Sequence, residues 1–214
     1  APPYLVITGH GGEHGIEFGT YGPSSIDVSS LAEGRYLYVI LDVFSRYAVG
    51  WTLQHRESAS IAKQLISQAV APQQIQADQL TIHADRGSSM RSKSVAFLLA
   101  DLGITKTHSR PYTSSDNPYS EAQFKTLKYR PGFPKRFDSI EHARHFARQF
   151  FDWYNHQHRH SGIGLMTPET IHNGRAETCH AERSRVLADA YTANPQRFVH
   201  GAPRPPMLPT AAWI

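Results

Sequence analysis

Asp27, Asp85 and Glu121 are the residues whose types and spacing could do chemistry together. Asp85 closes the short apolar run Leu80-Thr81-Ile82-His83-Ala84 and precedes the turn Arg86-Gly87-Ser88. Glu121 falls in the opening turns of a helix that starts at Pro118, and thirty-five residues lie between it and Asp85. Asp27 lies within Ile26-Asp27-Val28, where strand alternation sets it opposite its two apolar neighbours. If the strands bearing Asp27 and Asp85 are adjacent, both acids emerge at one sheet edge and Glu121 can swing in from its helix. Three carboxylates left unpaired would repel one another, and divalent cations relieve that repulsion. Hard cations such as Mg²⁺ take oxygen ligands and keep water positions open. The expected chemistry is therefore two-metal phosphoryl transfer. One ion activates a water or a 3′-hydroxyl, and the other stabilises the leaving oxygen of an in-line displacement.

Each residue also has a plainer reading. An Asp at a strand end commonly caps a turn, and a Glu in a helix's first turn is favoured by the dipole. Asp42 is a rival first acid, because it directly follows the strongest strand. The run Asp42-Val43-Phe44-Ser45-Arg46 reads better as a structural turn in which Asp42 caps and pairs with Arg46. His10, Glu13 and His14 resemble a zinc motif, but the glycine-rich setting provides no helix to align them. His156, His158 and His160 alternate at a spacing of two, which does not share a helical face, so a surface or end-cap role is expected.

The elements that must position these residues follow from periodicity. Tyr4-Leu5-Val6-Ile7 is strand-like before Gly9, Gly11, Gly12, Gly15, Gly19 and Gly22 interrupt any pattern. Tyr36 to Leu41 is a near-continuous β-prone run, as in a strand buried on both faces, and Tyr47 to Leu53 returns antiparallel to it. From Ser58 the period becomes helical through Ile61, Leu65, Ile66, Ala69 and Val70, ending at Pro72. Leu80–His83 and Ile104–Thr107 are strands, with a helix between them through Val95, Leu98, Leu99 and Leu102 that Gly103 ends. In the Pro118 helix, Glu121, Lys125 and Lys128 form one outward stripe, and Gln123, Phe124 and Leu127 lie on another face. Asp138 or Ser139 caps a long amphipathic helix through Tyr154, Thr167-Pro168 starts a short one, and residues 181–191 are helical before a proline-rich tail. This order predicts a mixed α/β sheet covered by helices.

Composition narrows the class. The 214 residues carry 40% hydrophobic and 19% charged residues, enough for a substantial core. A net charge of +4 is compatible with a nucleic-acid partner, and 13 histidines make the charge sensitive to pH near neutrality. The single Cys179 excludes a disulfide framework and points to a reducing compartment. No apolar run approaches the roughly 18 residues of a membrane span, so no membrane role is expected. The start at Ala1 without Met is read as a fragment or a processed product.

Several motifs resemble the integrase core of bacterial insertion-sequence transposases, which is related to retroviral integrases. They are Tyr36-Leu37-Tyr38-Val39-Ile40-Leu41-Asp42-Val43-Phe44-Ser45-Arg46-Tyr47 with Gly50-Trp51, and His83-Ala84-Asp85-Arg86-Gly87-Ser88. Asp116-Asn117-Pro118-Tyr119-Ser120-Glu121 with Phe124-Lys125-Thr126-Leu127-Lys128 follows, then Trp153-Tyr154-Asn155 with His158-Arg159-His160-Ser161. The resemblance implies a ribonuclease-H-like fold with a mixed five-stranded sheet and an Asp-Asp-Glu triad at Asp27, Asp85 and Glu121. It further implies two Mg²⁺ or Mn²⁺ ions on those acids, and DNA contacts from Arg86, Ser88, Asn117, Lys125 and Lys128. The partners would be the element ends and target DNA, in a homo-oligomer acting in the bacterial cytoplasm. The family usually has Trp before its first Asp, where this chain has Ile26, and usually carries an N-terminal helix-turn-helix that is not readable here. The expected division is a lead-in over 1–24, a catalytic core over 25–175 and a C-terminal helix and tail over 176–214. The expected activity is cleavage and strand transfer; a silent DNA-binding remnant and a metal-dependent nuclease are the alternatives.

Overall fold

The computed structural model describes the backbone of residues 4–10 and, in full, residues 36–56, 58–73, 75–84, 89–108, 110 and 117–212. Five strands form one sheet: β1 (Tyr4–His10), β2 (Tyr36–Asp42), β3 (Ala48–Gln54), β4 (Leu80–Ala84) and β5 (Ile104–His108). Their spatial order is β3-β2-β1-β4-β5. β1, β2 and β3 pair antiparallel, whereas β4 and β5 extend the sheet parallel to β1. Residues 43–47 turn β2 back into β3, and the parallel steps are made through helices α1 (Ala59–Val70) and α2 (Lys93–Asp101).

Alternation along β2 builds the two faces of the core. Leu37, Val39 and Leu41 lie under α3 (Pro118–Lys128) and α4 (Ile140–His156), against Phe124, Leu127, Phe150 and Tyr154. Tyr38 and Ile40 point the other way, into Ala62, Leu65 and Ile66 of α1 and Val95 and Leu99 of α2. A strand covered on both faces has no polar side to show, which is why this run reads as continuously apolar. Ile163, Met166 and Ile171 make a small third cluster below α5 (Pro168–His172), and α6 (Ala176–Ala193) buries none of its residues.

Most element boundaries match the capping signals. The side chains of Ser58, Ser92, Ser139 and Thr167 accept hydrogen bonds from the first-turn amides of α1, α2, α4 and α5. Gly103 follows α2 at φ +61°, where a Cβ would meet that of Ala77 at 2.6 Å.

The position between β2 and β4 is taken by Tyr4–His10, which includes the strand-like run Tyr4-Leu5-Val6-Ile7. The β-branched and aromatic run Tyr4-Leu5-Val6-Ile7-Thr8 provides the strand propensity, and pairing continues through Gly9 to His10. Residues 26–28 lie outside the described residues, as do Glu13 and His14.

Candidate active site

The end of β4 is held rigidly. Ile82 and Ala84 are fully buried, and His83 places Nδ1 2.9 Å from Thr107 Oγ1 on β5. His108 Nδ1 lies 3.1 Å from the Ala84 carbonyl oxygen. Lys106 Nζ donates to the Met90 carbonyl at 2.6 Å, tying the segment before α2 to the sheet, and burial lowers its pKa. Asp85 follows Ala84 in the sequence; it, Arg86 and Ser88 lie outside the described residues, as does Asp27.

Glu121 is described. It sits in the first turn of α3, half-buried, and its amide donates to the Asn117 carbonyl at 3.3 Å. Pro118 occupies the first helical position, where its missing N–H costs nothing, and an acid there is favoured by the dipole. Ser120, Gln123, Phe124 and Leu127 are the buried face, and Lys125 is exposed, with Lys128 half-buried. The division of this helix into a packed Phe/Leu side and an outward Glu-Lys-Lys side therefore stands. Asn117 is 4% exposed and serves as the N-cap residue of α3. The ion pairs found among the described residues do not involve Glu121.

Asp42 is engaged elsewhere. It accepts from the Phe44 amide at 3.0 Å and from the Ser45 hydroxyl, and its Oδ2 lies 3.0 Å from His172 Nδ1 on α5. His172 Nε2 lies 3.1 Å from Gln73 Oε1, and Tyr47 stacks on the ring with centroids 4.4 Å apart. Asp42 thus caps the β2–β3 turn as expected, but the side chain it meets from outside the turn is His172 rather than Arg46. The antiparallel register sets Asp42 beside Leu5, while β4 reaches Ala84 beside Ile7.

Arg46 instead crosses to α3. Its backbone has φ +67°, and its guanidinium carbon lies 4.0 Å from the centroid of the Tyr119 ring, two residues before Glu121. Burial lowers the Arg46 pKa, opposed by Tyr119, Tyr154 and Asp42. At the other end of α3, Arg130 stacks 4.1 Å from the Trp153 ring centroid.

The three alternating histidines separate by role. His156 is exposed and pairs with Asp152 at 3.1 Å. His158 packs against Trp153 at 4.6 Å and His160 at 4.3 Å, sealing the end of α4. Burial, then His158 and Arg46, push the His160 pKa from 6.5 to about 3. Among the described residues, no group of three or more His, Cys, Asp or Glu side chains is arranged to hold a metal. No helix among them is long and apolar enough to cross a membrane.

Sequence reasoning missed three interactions: Asp42 with His172, Arg46 with Tyr119, and Asn155 with the backbone of Ala48. Asp42, Arg46 and Asn155 all stand inside the motifs quoted above, but these partners are more than 70 residues away in sequence. No local spacing encodes such pairs.

Two integrase core domain models match the sequence, over residues 24–114 and 102–168. The transposase for insertion sequence element IS904 of Lactococcus lactis is 30% identical over 135 residues, covering 63% of this chain and 53% of that protein. The putative transposase for IS986/IS6110 of Mycobacterium tuberculosis is 28% identical over 168 residues, covering 75% and 58%. Transposase InsF for IS3A of Escherichia coli is 27% identical over 139 residues, covering 64% and 48%. This chain thus spans about half the length of these relatives. Among solved structures, the catalytic core domain of BIV integrase superposes with a TM-score of 0.53 at 20% identity, covering 84% of this chain and 97% of that one. A chain of the simian T-cell lymphotropic virus intasome gives 0.50 at 17% identity, covering 98% and 58%. At these identities the likeness shows the fold, a ribonuclease-H-like mixed sheet.

Proposed function

Since residues 24–168 belong to the integrase core family, we propose that this chain carries the catalytic core of an insertion-sequence transposase, which cleaves DNA at element ends and joins the 3′-hydroxyl to target DNA. The observation that supports this most is Glu121, a half-buried acid in the first turn of a helix docked on a rigid sheet. Asp85 and Asp27 complete the proposed triad. The donor set is all carboxylate oxygen, and Glu121 has no charged protein partner among the described residues, which fits hard Mg²⁺ or Mn²⁺ ions. When bound, two such ions would supply an activated nucleophile and charge stabilisation on the leaving oxygen. The chain's own residues do the rest. Lys125 and Lys128 hold backbone phosphates on the Glu121 side of the helix, and Arg86 and Ser88 extend that contact from the segment after β4. Cleaving and joining two element ends calls for at least two protomers.

The test is nicking and strand transfer on oligonucleotides carrying terminal repeats, with Mg²⁺ or Mn²⁺. Asp27→Asn, Asp85→Asn and Glu121→Gln should each reduce both steps by on the order of a thousandfold, comparable to removing one group that stabilises a transition state. Variants as active as the parent sink the assignment. Nicking without joining would favour a plain nuclease.

One observation favours a second reading, a DNA-binding remnant without activity. β1, the strand beside β4, has the sequence Tyr-Leu-Val-Ile-Thr-Gly-His and offers no carboxylate. Calorimetry with Mn²⁺ separates the two, since a remnant should show no binding that depends on Asp27, Asp85 or Glu121.

A further inference from the structure

Arg46 carries two costs at one position. Its φ of +67° is a left-handed conformation that residues with a side chain adopt rarely. Its Nη1 is buried with no hydrogen-bond partner among the described residues, which leaves one donor of the guanidinium unsatisfied. Strained backbone of this kind persists only where its surroundings over-determine it. Here they do. The Arg46 amide donates to the Asp42 carbonyl at 2.7 Å, and the Tyr47 amide returns to Ser45 Oγ at 3.1 Å. His172 fixes the Asp42 carboxylate from outside the turn. The turn is built to aim one guanidinium, and its target is the ring of Tyr119 at 4.0 Å. A guanidinium over an aromatic face is worth most when it is desolvated, as Arg46 is.

From this geometry we infer that Arg46 is a positioning residue for Glu121: the β2–β3 turn grips the first turn of α3 through Tyr119 and so fixes where the Glu121 carboxylate stands. The inference rests on the transposase reading for what Glu121 does, but the grip itself is independent of it. It also gives Arg46 and Tyr119 a role without either touching metal or DNA. Displacing a reacting group by about an ångström costs up to a hundredfold in rate, so a loose first turn would be felt at Glu121.

The test compares Arg46→Gly, Arg46→Lys, Tyr119→Phe, Tyr119→Leu and the Arg46→Gly/Tyr119→Leu pair in the full chain. Glycine suits φ +67°, so Arg46→Gly removes the guanidinium while easing the backbone, and thermal melting identifies any variant that fails to fold. The first readout is amide hydrogen exchange over residues 118–124. Arg46→Gly and Tyr119→Leu should each speed exchange about tenfold, the pair no more than either alone, and Tyr119→Phe, which keeps the ring but removes the hydroxyl, should fall between the parent and Tyr119→Leu. Unchanged or simply additive exchange overturns the grip. The second readout is strand transfer against Mn²⁺ concentration. The expected result is a rate lowered by on the order of ten- to a hundredfold with a raised half-activating concentration, partly restored in Arg46→Lys. Faster exchange with rate and metal dependence unchanged overturns the positioning role. A Glu121→Gln variant as active as the parent overturns the transposase reading instead, and the exchange result still decides the grip.

Discussion

At the scale of single residues, Asn155 shows how much one side chain can fix. Its Oδ1 accepts from the Ala48 amide at 2.9 Å and its Nδ2 donates to the Ala48 carbonyl at 3.1 Å. It thereby satisfies both backbone groups at the start of β3, a strand at the edge of the sheet. Asn155 is buried, so Asn155→Ala leaves a donor and an acceptor unpaired; denaturant unfolding should report a loss on the order of 3 kcal/mol. The sequence showed the Trp153-Tyr154-Asn155 motif but not this job, because the partner lies 107 residues away. His160 supplies a second expectation at this scale. Its folded pKa of about 3 lies below its ordinary 6.5, so the unfolded chain takes up a proton in that window that the folded chain refuses. Its contribution is therefore fully present above pH 6.5 and drains as pH falls toward 3. His158, also lowered by burial and by Arg130, acts in the same direction. Thermal melts at pH 7 and pH 5 should differ less in His160→Gln than in the parent.

At the scale of elements, the helices and the strand character of Tyr4–Ile7 were legible, but the place of that strand in the sheet was not. Helix starts were visible because Ser58, Ser139 and Thr167 combine a side-chain acceptor with an amphipathic run directly after it. The faces of α3 followed from 100° per residue alone, since Phe124 and Leu127 had to be buried and the lysines could not be. The neighbours of β1 were hidden for the opposite reason. Two segments, Tyr4–Ile7 and Ile26–Val28, both read as short strands, and periodicity cannot say which one reaches β4; only pairing does. The lysine stripe of α3 makes its own prediction. If Lys125 and Lys128 meet phosphates, changing each to Ala should flatten the plot of log affinity for duplex DNA against log salt by about 0.9 per residue. A slope unchanged in the double variant would show that this face of α3 is not where DNA lies.

At the scale of the whole molecule, the region after α4 fastens onto the sheet at few points. His172 on α5 is joined to Asp42 at the end of β2 and to Gln73 after α1. Below it, Ile163, Met166 and Ile171 form their own small core, and Leu208 from the proline-rich tail packs against them. The tail therefore returns across the turn at Gly164 rather than leaving the molecule. Gly164 has φ +66°, and a Cβ there would stand 2.9 Å from the Met207 carbonyl oxygen. Gly164→Ala should thus act twice, straining the turn and pushing the tail away, at a cost of more than about 1 kcal/mol. The distinguishing measurement is hydrogen exchange over 166–174, compared with a Leu208→Ala variant that removes only the tail's apolar contact. Faster exchange in both variants, larger in Gly164→Ala, is expected if the tail braces α5. Because His172 links α5 to the turn that carries Arg46, loosening α5 should also reach the Arg46–Tyr119 contact. Faster exchange at 118–121 in Gly164→Ala would show that the tail and α3 are coupled through the sheet, and protection there equal to the parent's would confine the tail's effect to α5.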